Sequence, residues 1–244
     1  MTTTGQKKSI KSFYWTWLAL TVLGVALSIW APGHFMPRSM SNDMHLSILT
    51  IVIFSVSAAP VAAGVYAATL YVLKNFRYRG EGVPPAGADF RGNNVMITSW
   101  LLISTVLTIF LLVWGLGALA VDNGSTGRNP LVVNVTGQQW VWSFQYAGTN
   151  VKTNELYLPL NREVEFRITS DDVTHGFWIP QMGVQVDANQ GVITTIHTTP
   201  SVTGTFDVRC TQFCGLNHAF MVTQGHVLSQ TDFNNWLTAQ PARA

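Results

Sequence analysis

Three long apolar runs occupy the first half of the chain. They extend from Phe13 to Ala31, from Leu46 to Leu73 and from Ile97 to Val121, and none of them contains a charged residue. As a helix, each run is about long enough to cross a hydrocarbon layer roughly 30 Å thick. The pattern therefore predicts a membrane part at residues 1–121 with three transmembrane helices.

From residue 122 onward the pattern changes to short segments that alternate between apolar and polar positions. In Gln139 to Tyr146 the aromatic residues fall on every second position, which predicts a strand with Trp140, Trp142, Phe144 and Tyr146 on one face. Thr231 to Ala239 predicts a short terminal helix with Thr231 or Asp232 near its N-cap. Further strands are predicted at residues 131–135, 155–158, 164–169, 176–179, 192–198, 205–209 and 222–228. Residues 122–244 are therefore predicted to form an all-β domain, a Greek-key sandwich or barrel.

Basic residues give the orientation of the three helices. Lys7, Lys8 and Lys11 precede the first run, and Lys74, Arg77, Arg79 and Arg91 separate the second run from the third, whereas only Arg38 lies between the first two. Because positive residues favour the cytoplasmic side, the N-terminus is predicted in the cytoplasm and residues 122–244 on the outer, periplasmic side of the plasma (inner) membrane. The first run alternatively fits a signal peptide, although no Ala-x-Ala site follows it.

The composition supports a membrane protein and gives no indication of nucleic-acid binding. The chain is 48% hydrophobic and only 11% charged. Residues 122–244 contain nine acidic and six basic residues, a net charge of −3, and no basic surface interleaved with aromatic residues is apparent. Two cysteines in an external domain would by default form a disulfide.

The stretch from Cys210 to Met221 contains both cysteines and carries the candidate chemistry. Cys210, Cys214, His218 and Met221 supply two thiols, an imidazole and a thioether at offsets of four, four and three residues. In a straight helix these side chains would spread over roughly 16 Å. Since one metal site needs donors within about 2.0–2.3 Å of the metal, the stretch is predicted to fold as a compact loop.

Copper is the first choice of metal, because thiolate, thioether and imidazole together select a soft metal and methionine does not normally bind zinc. Two thiolates can bridge two copper ions, which makes a dinuclear centre with one histidine for each ion. The loop supplies only His218. We therefore expect His175, which precedes Cys210 by 35 residues, to be the second imidazole. His197 and His226 fall within predicted strands and are interpreted as packing or surface residues.

The loop from Cys210 to Met221, the upstream His175 and the aromatic stretch from Gln139 to Tyr146 together resemble subunit II of haem-copper terminal oxidases of the cytochrome c oxidase type. The resemblance covers the external domain and at least the last two apolar runs. It implies a cupredoxin barrel carrying the dinuclear copper centre CuA. The implied metal ligands are His175, Cys210, Cys214, His218, Met221 and the backbone carbonyl of Gln212.

The resemblance also implies a function in electron transfer. A CuA subunit accepts electrons from a soluble donor, cytochrome c or a copper protein. It passes them to haem in subunit I, where haem and CuB reduce oxygen to water. The expected partners are therefore subunit I, other membrane subunits, the donor and the membrane itself. Trp140 matches the tryptophan through which electrons enter, although the same residue also fits a packed strand face.

Gln212 departs from the family pattern. Most members have a glutamate at this position, and its carboxylate helps to bind magnesium at the subunit interface. The backbone carbonyl of Gln212 can still bind copper, but the resemblance does not imply a bound magnesium ion for this chain. The acidic residue that often precedes Trp100 at the mouth of a proton channel is also absent, and the nearest acids are Glu81 and Asp89.

Two other functions share parts of this pattern. A membrane-anchored copper chaperone also uses two cysteines three residues apart and a distant histidine, but its fold is thioredoxin-like and its cysteines come early in the domain. A nitrous- or nitric-oxide reductase with a CuA domain has the same loop. The partner subunit that would distinguish it is not in this sequence.

Overall fold

The computed structural model describes residues 10–77, 92–122 and 129–240. Contacts within the chain divide it into two units. One unit contains the first helix and most of the two other long helices. The second unit contains the β strands, the C-terminal helix and the segment Pro37–Leu49, which lies after the first long helix and includes the start of the second.

The helical unit is built from the three apolar runs. They form α1 (Lys11–Trp30), α3 (Asn42–Asn75) and α4 (Asn94–Asp122), and a short helix α2 (Pro32–Phe35) follows α1. All three long helices are long and apolar enough to cross a membrane. Lys7, Lys8, Arg79 and Arg91, on which the predicted orientation partly depends, lie outside the described residues, as do Glu81 and Asp89.

Small residues bring α1 close to α3. A Cβ atom placed on Gly24 would lie 3.1 Å from the Cβ of Ala59, so the two helices approach closely at this point. Seven residues earlier on α1, the indole Nε1 of Trp17 donates to the carbonyl oxygen of Pro60 at 2.8 Å. In an apolar environment this hydrogen bond pairs an N–H donor and a carbonyl acceptor for which lipid chains offer no partner.

Ten strands form the β unit in the part of it that the structure describes. They are β1 (Leu131–Gln138), β2 (Val141–Tyr146), β3 (Lys152–Thr153), β4 (Leu156–Pro159), β5 (Val164–Ser170), β6 (His175–Ile179), β7 (Val184–Ala188), β8 (Thr194–Thr198), β9 (Gly204–Cys210) and β10 (Val222–Leu228), followed by α5 (Gln230–Ala239). One sheet has the order β3-β2-β1-β5-β8 and the other the order β4-β10-β9-β6-β7. The pairs β1–β5 and β10–β4 are parallel, and the other pairs are antiparallel.

The two sheets pack face to face around an aromatic core. Trp142, Phe144, Phe166, Phe177 and Phe206 are all at most 2% exposed. Phe177 contacts three of these rings with centroid separations of 5.3–6.5 Å. The expected fold class is confirmed in its architecture: apolar N-terminal helices precede an all-β domain of two packed five-stranded sheets.

Several predicted boundaries change. The strands β3 and β7 were not predicted, and both lie at sheet edges, where the apolar pattern is weakest. The aromatic strand begins at Val141, so Trp140 lies in the turn before β2 and does not share the buried face of Trp142. The cap of α5 is Ser229, whose hydroxyl accepts from the amide of Asp232 at 3.1 Å, and not Thr231 or Asp232.

The segment Pro37–Leu49 is part of the β unit. Met40 is 3% exposed and belongs to the core, its amide donates to the carbonyl of Gln181 at 2.8 Å, and its carbonyl accepts from Ser201 at 2.8 Å. The Ser41 hydroxyl donates to the Met182 carbonyl at 2.7 Å. Residues that precede α3 and α4 in sequence therefore complete the core of the domain that follows them.

Candidate metal centre

The candidate metal centre lies at one end of the sheet that contains β6, β9 and β10. Cys210 is the last residue of β9, and β10 begins immediately after Met221. The amide of Cys210 donates to the carbonyl of Met221 at 3.1 Å, so the loop between the two strands closes at its base. A loop held between two packed strands provides a rigid support for several ligands.

Two thiols and one imidazole of this loop meet a second imidazole, that of His175 at the start of β6. The Sγ atoms of Cys210 and Cys214 are 3.7 Å apart, and both cysteines are free, so the default expectation of a disulfide was wrong. The Nδ1 atom of His175 lies 3.8 Å from Sγ of Cys210, and Nδ1 of His218 lies 3.6 Å from Sγ of Cys214. Each thiol therefore has its own imidazole.

Weaker donors complete each side of the pair. The Sδ atom of Met221, which is fully buried, lies 3.8 Å from Sγ of Cys214. The carbonyl oxygen of Gln212 lies 3.2 Å from Sγ of Cys210. The structure thus brings together all six groups that were predicted as metal ligands.

A carboxylate that was not predicted fixes the His175 ring. Nε2 of His175, which is fully buried, lies 2.8 Å from Oδ1 of Asp172, and this contact leaves Nδ1 directed at Cys210. Asp172 also accepts from the amides of Gln139 at 2.7 Å and Val173 at 2.6 Å. Partial burial alone would raise the pKa of Asp172, but these hydrogen bonds outweigh it and lower the pKa, so the group stays ionised. The sequence contained one indication of this role, namely that Asp172 lies three residues before His175.

The Cys214 thiol holds its proton. Burial, together with the neighbouring sulfur of Cys210, raises the pKa of the Cys214 thiol to about 11. A metal ion bound by Cys214 would have to displace this proton, because the thiolate is the form that binds a metal.

Trp140 packs directly on the ligand loop. A Cβ atom on Gly215 would lie 3.4 Å from Cζ2 and 3.5 Å from Nε1 of Trp140, and 2.9 Å from Nε2 of Gln139. Gly215 has a φ of +124°, a conformation that favours glycine. The Gln139 side chain donates to the Cys214 carbonyl at 2.7 Å. The turn that carries Trp140 is therefore in contact with the residue next to Cys214.

Residues 149–226 match the sequence profile of the family described as cytochrome C oxidase subunit II, periplasmic domain. Over this part, the chain is therefore similar to the periplasmic domain of subunit II. The chain is 39% identical over 111 residues to cytochrome c oxidase subunit 2 of Thermostichus vulcanus. The aligned region covers 45% of this chain and 34% of that protein. The chain therefore spans about a third of the length of this relative.

A longer match extends beyond the β unit. The chain is 26% identical over 234 residues to the probable cytochrome c oxidase subunit 2 of Rickettsia bellii, which is 86% of this chain and 84% of the relative. Among solved structures, the periplasmic domain of subunit II of cytochrome oxidase from Bradyrhizobium japonicum is 28% identical. That match covers 47% of this chain and 95% of that domain, with a TM-score of 0.44.

The subunit II family implies a CuA centre, and the residues present fit it. Two donors that each lie about 2.0–2.3 Å from a shared metal ion are at most about 4.6 Å apart. The S–S distance of 3.7 Å and both S–N distances satisfy this limit. His175, Cys210 and Cys214 also form a cluster in which the three ligand atoms lie within 4.8 Å of one another. The donor set is soft, as copper requires.

The residues do not fit the magnesium site of the family. Gln212 offers a neutral amide where a carboxylate is needed, and its Nε2 donates to Oδ1 of Asp187 at 3.0 Å. The donor nitrogen of Gln212 therefore faces a carboxylate oxygen directly, an arrangement that needs no cation between the two groups.

The remaining predicted histidines lie elsewhere. Nδ1 of His197 is 3.4 Å from a carboxylate oxygen of Glu163, and the ring of His226 stacks on Tyr157 with a centroid separation of 4.8 Å. Neither belongs to the cluster around the two cysteines.

Large apolar side chains on the ligand loop are exposed, which the sequence analysis did not anticipate. Phe213, Leu216 and Phe220 are 84%, 89% and 81% exposed, and the ring of Phe213 lies 5.9 Å from that of His218. Exposed apolar groups clustered in this way indicate a protein contact surface.

We predict that Gly176→Ala will impair the metal centre. The Gly176 carbonyl accepts from the Thr211 amide at 3.0 Å, and a Cβ atom at Gly176 would lie 2.1 Å from Oγ1 of Thr211 and 2.9 Å from the amide nitrogen of Gln212. Since backbone would have to move, we expect copper affinity to fall by at least about tenfold, the lower end of losses seen for outer-shell changes. Titration of copper into the metal-free chain measures this. Gly148→Ala, which has open space around its Cβ but also a positive φ, controls for general strain. Equal affinities in wild type and Gly176→Ala would contradict the prediction.

Proposed function

We propose that this chain is the electron-entry subunit of a respiratory haem-copper oxidase, the cytochrome c oxidase type. The observation that carries the proposal is the pair of thiols 3.7 Å apart, each with its own imidazole nitrogen within 3.8 Å. One thiol and two histidines would suit a single copper ion, whereas this pairing suits two.

When bound, a dinuclear copper centre supplies reversible one-electron transfer with little change in geometry. The chain's own residues provide the ligands for such a centre and the contacts that orient them. Cys210 and Cys214 would supply the thiolates, His175 and His218 would supply one imidazole each, and Met221 and the Gln212 carbonyl would be weak ligands. Asp172 holds the His175 ring in place, because its carboxylate occupies Nε2.

Trp140 would receive the electron from the donor. The indole is partly exposed and packs on Gly215, next to Cys214. The donor is proposed to be cytochrome c or a small copper protein. With a net charge of −3 on residues 122–244, electrostatic steering would be modest and sensitive to salt.

Electrons would leave toward haem in subunit I, where haem and CuB reduce oxygen to water. The exposed residues Phe213 and Phe220 flank His218 in the sequence and suit contact with another subunit. Nothing in the described fold favours the copper chaperone, because a thioredoxin-like fold is expected there and the cysteines here lie at the end of a β-sandwich strand.

We further propose that the β domain lies on the outer side of the plasma (inner) membrane and the N-terminus in the cytoplasm. Pro37–Leu49, which includes the first turns of α3, belongs to the β unit, although most of α3 and of α4 separates it from the strands in the sequence. If α3 and α4 both cross the membrane, this packing requires the segment and the β domain to lie on the same side. That supports two crossings by α3 and α4, whereas the proposed cytoplasmic N-terminus rests on the distribution of basic residues. The boundary at residue 122 stays a prediction, since residues 123–128 lie outside the described part of the chain.

Copper content and electron paramagnetic resonance of the purified full-length chain test the proposal. We expect two copper ions per chain and a seven-line spectrum, because the signal of one unpaired electron shared equally by two copper nuclei is split into seven lines. One copper ion per chain with a four-line spectrum would overturn the dinuclear centre. A dinuclear spectrum without oxygen consumption in the assembled complex would instead leave the metal site intact and reject the oxidase.

A further inference from the structure

Two consecutive residues attach the start of the ligand loop to the neighbouring strands. The amide of Thr211 donates to the carbonyl of Gly176 on β6 at 3.0 Å. The side-chain amide of Gln212 donates to Oδ1 of Asp187 on β7 at 3.0 Å. Gly176 and Asp187 are themselves paired across the β6–β7 ladder, so both attachments reach the same point of the sheet.

The two attachments fix different parts of the loop. The Thr211 hydrogen bond joins backbone to backbone and sets the path of the chain directly after Cys210. Gln212 is exposed, so packing does not restrain its side chain, and the contact with Asp187 is the hydrogen bond that the structure shows for it. Without that contact the Gln212 peptide could rotate, and its carbonyl oxygen would no longer be held 3.2 Å from Cys210 Sγ.

We propose that Gln212 is a positioning residue: its side chain, held by Asp187, fixes its own backbone carbonyl beside Cys210. This inference rests on the copper site proposed above. The hydrogen bond joins a neutral amide to a carboxylate and needs no cation between them. A weak backbone ligand tunes the reduction potential of a copper–thiolate site, so the position of this carbonyl is expected to affect the potential more than copper retention.

Asp187→Ala and Asp187→Asn in the full-length, copper-loaded chain test the proposal. Alanine removes the acceptor, whereas the side-chain oxygen of asparagine still accepts from Gln212. We expect alanine to shift the reduction equilibrium by up to about tenfold, which corresponds to about 59 mV for a one-electron couple, with copper content unchanged. Asparagine should restore the wild-type potential. Gln185→Ala, another exposed position on β7, is the matched control.

Gln212→Ala should shift the potential in the same direction as Asp187→Ala, and the double variant should shift it no further, because both changes remove one hydrogen bond. Unchanged potentials in Asp187→Ala and Gln212→Ala would overturn the proposal. Loss of copper from both would show a wider structural role and would also overturn it.

Hydrogen–deuterium exchange of the copper-free chain gives a readout independent of the metal. The loop from Cys210 to Met221 should exchange faster in Asp187→Ala than in wild type or Asp187→Asn. Equal exchange in all three would contradict a positioning role.

Gln212→Glu tests whether a cation belongs at this point. Two facing carboxylates repel unless a cation lies between them, so this variant is expected to bind Mn²⁺ where the wild type does not. Stoichiometric Mn²⁺ binding by the wild type that is lost in Asp187→Ala would identify Asp187 as a cation ligand and overturn the proposal. The copper content and spectrum of the wild type test the proposed function separately.

Discussion

Cys214→Ser is expected to abolish the dinuclear copper centre. Sγ of Cys214 lies within 3.6–3.8 Å of donor atoms from three other residues, Cys210, His218 and Met221, so one atom links both sides of the site. A serine hydroxyl is a hard donor that remains protonated at neutral pH and cannot replace a soft bridging thiolate. Loss of an outer-shell partner typically costs about 10–100-fold in metal affinity, and loss of a shared ligand should cost more.

Copper analysis and electron paramagnetic resonance of the full-length variant measure this effect. We expect at most one copper ion per chain and no seven-line spectrum. Cys214 is 3% exposed, so the smaller serine also tests whether the domain still folds, which near-ultraviolet circular dichroism can follow. Ala219→Ser adds a hydroxyl at an exposed position of the same loop and should retain both copper ions. A wild-type spectrum in Cys214→Ser would show that Cys214 is not a ligand.

Trp140→Phe is expected to slow electron entry while the copper spectrum stays unchanged. The indole contacts the ligand loop at Gly215, but none of its atoms belongs to the donor set. Truncation of a tryptophan at the centre of a docking surface commonly costs about 2 kcal/mol, so we expect the second-order rate with the donor to fall by about 30-fold. The smaller phenylalanine ring would also leave a gap between the surface and Cys214.

Stopped-flow reduction of the copper-loaded chain by cytochrome c measures the rate. Trp236→Phe is the matched control, because Trp236 is also partly buried but lies on α5, where it stacks on Tyr157. The control should react at the wild-type rate. If Trp140→Phe also reacted at that rate, Trp140 would serve packing alone.

The ligand set could be read from the sequence because its chemistry is local. Five of the six proposed donors lie within twelve residues. Among them, the combination of two thiols, an imidazole and a thioether is rare enough to indicate a metal by itself. His175 required one long-range step, which the family resemblance supported. The alternation of Trp142, Phe144 and Tyr146 similarly predicted a strand face that the structure buries completely.

Contacts that depend on the tertiary fold could not be read in this way. Asp187 meets Gln212 across 25 residues, and its strand β7 had not been predicted. Trp140 looked like part of an alternating strand, because periodicity does not show where a strand ends and a turn begins. The burial of Met40 in a domain that starts some 80 residues later could not be predicted either. A single methionine in a polar link produces no hydrophobic periodicity that would mark it as buried.

The burial of Met40 also sets an order of events in biogenesis. A ribosome synthesises residues 37–41 first, then α3 and α4, and only afterwards the strands against which Met40 packs. The domain can complete its core only when both ends of the α3–α4 pair have reached the same compartment. Copper loading of a fully closed domain would therefore follow membrane insertion, and a chain with failed insertion would expose an incomplete domain to quality control.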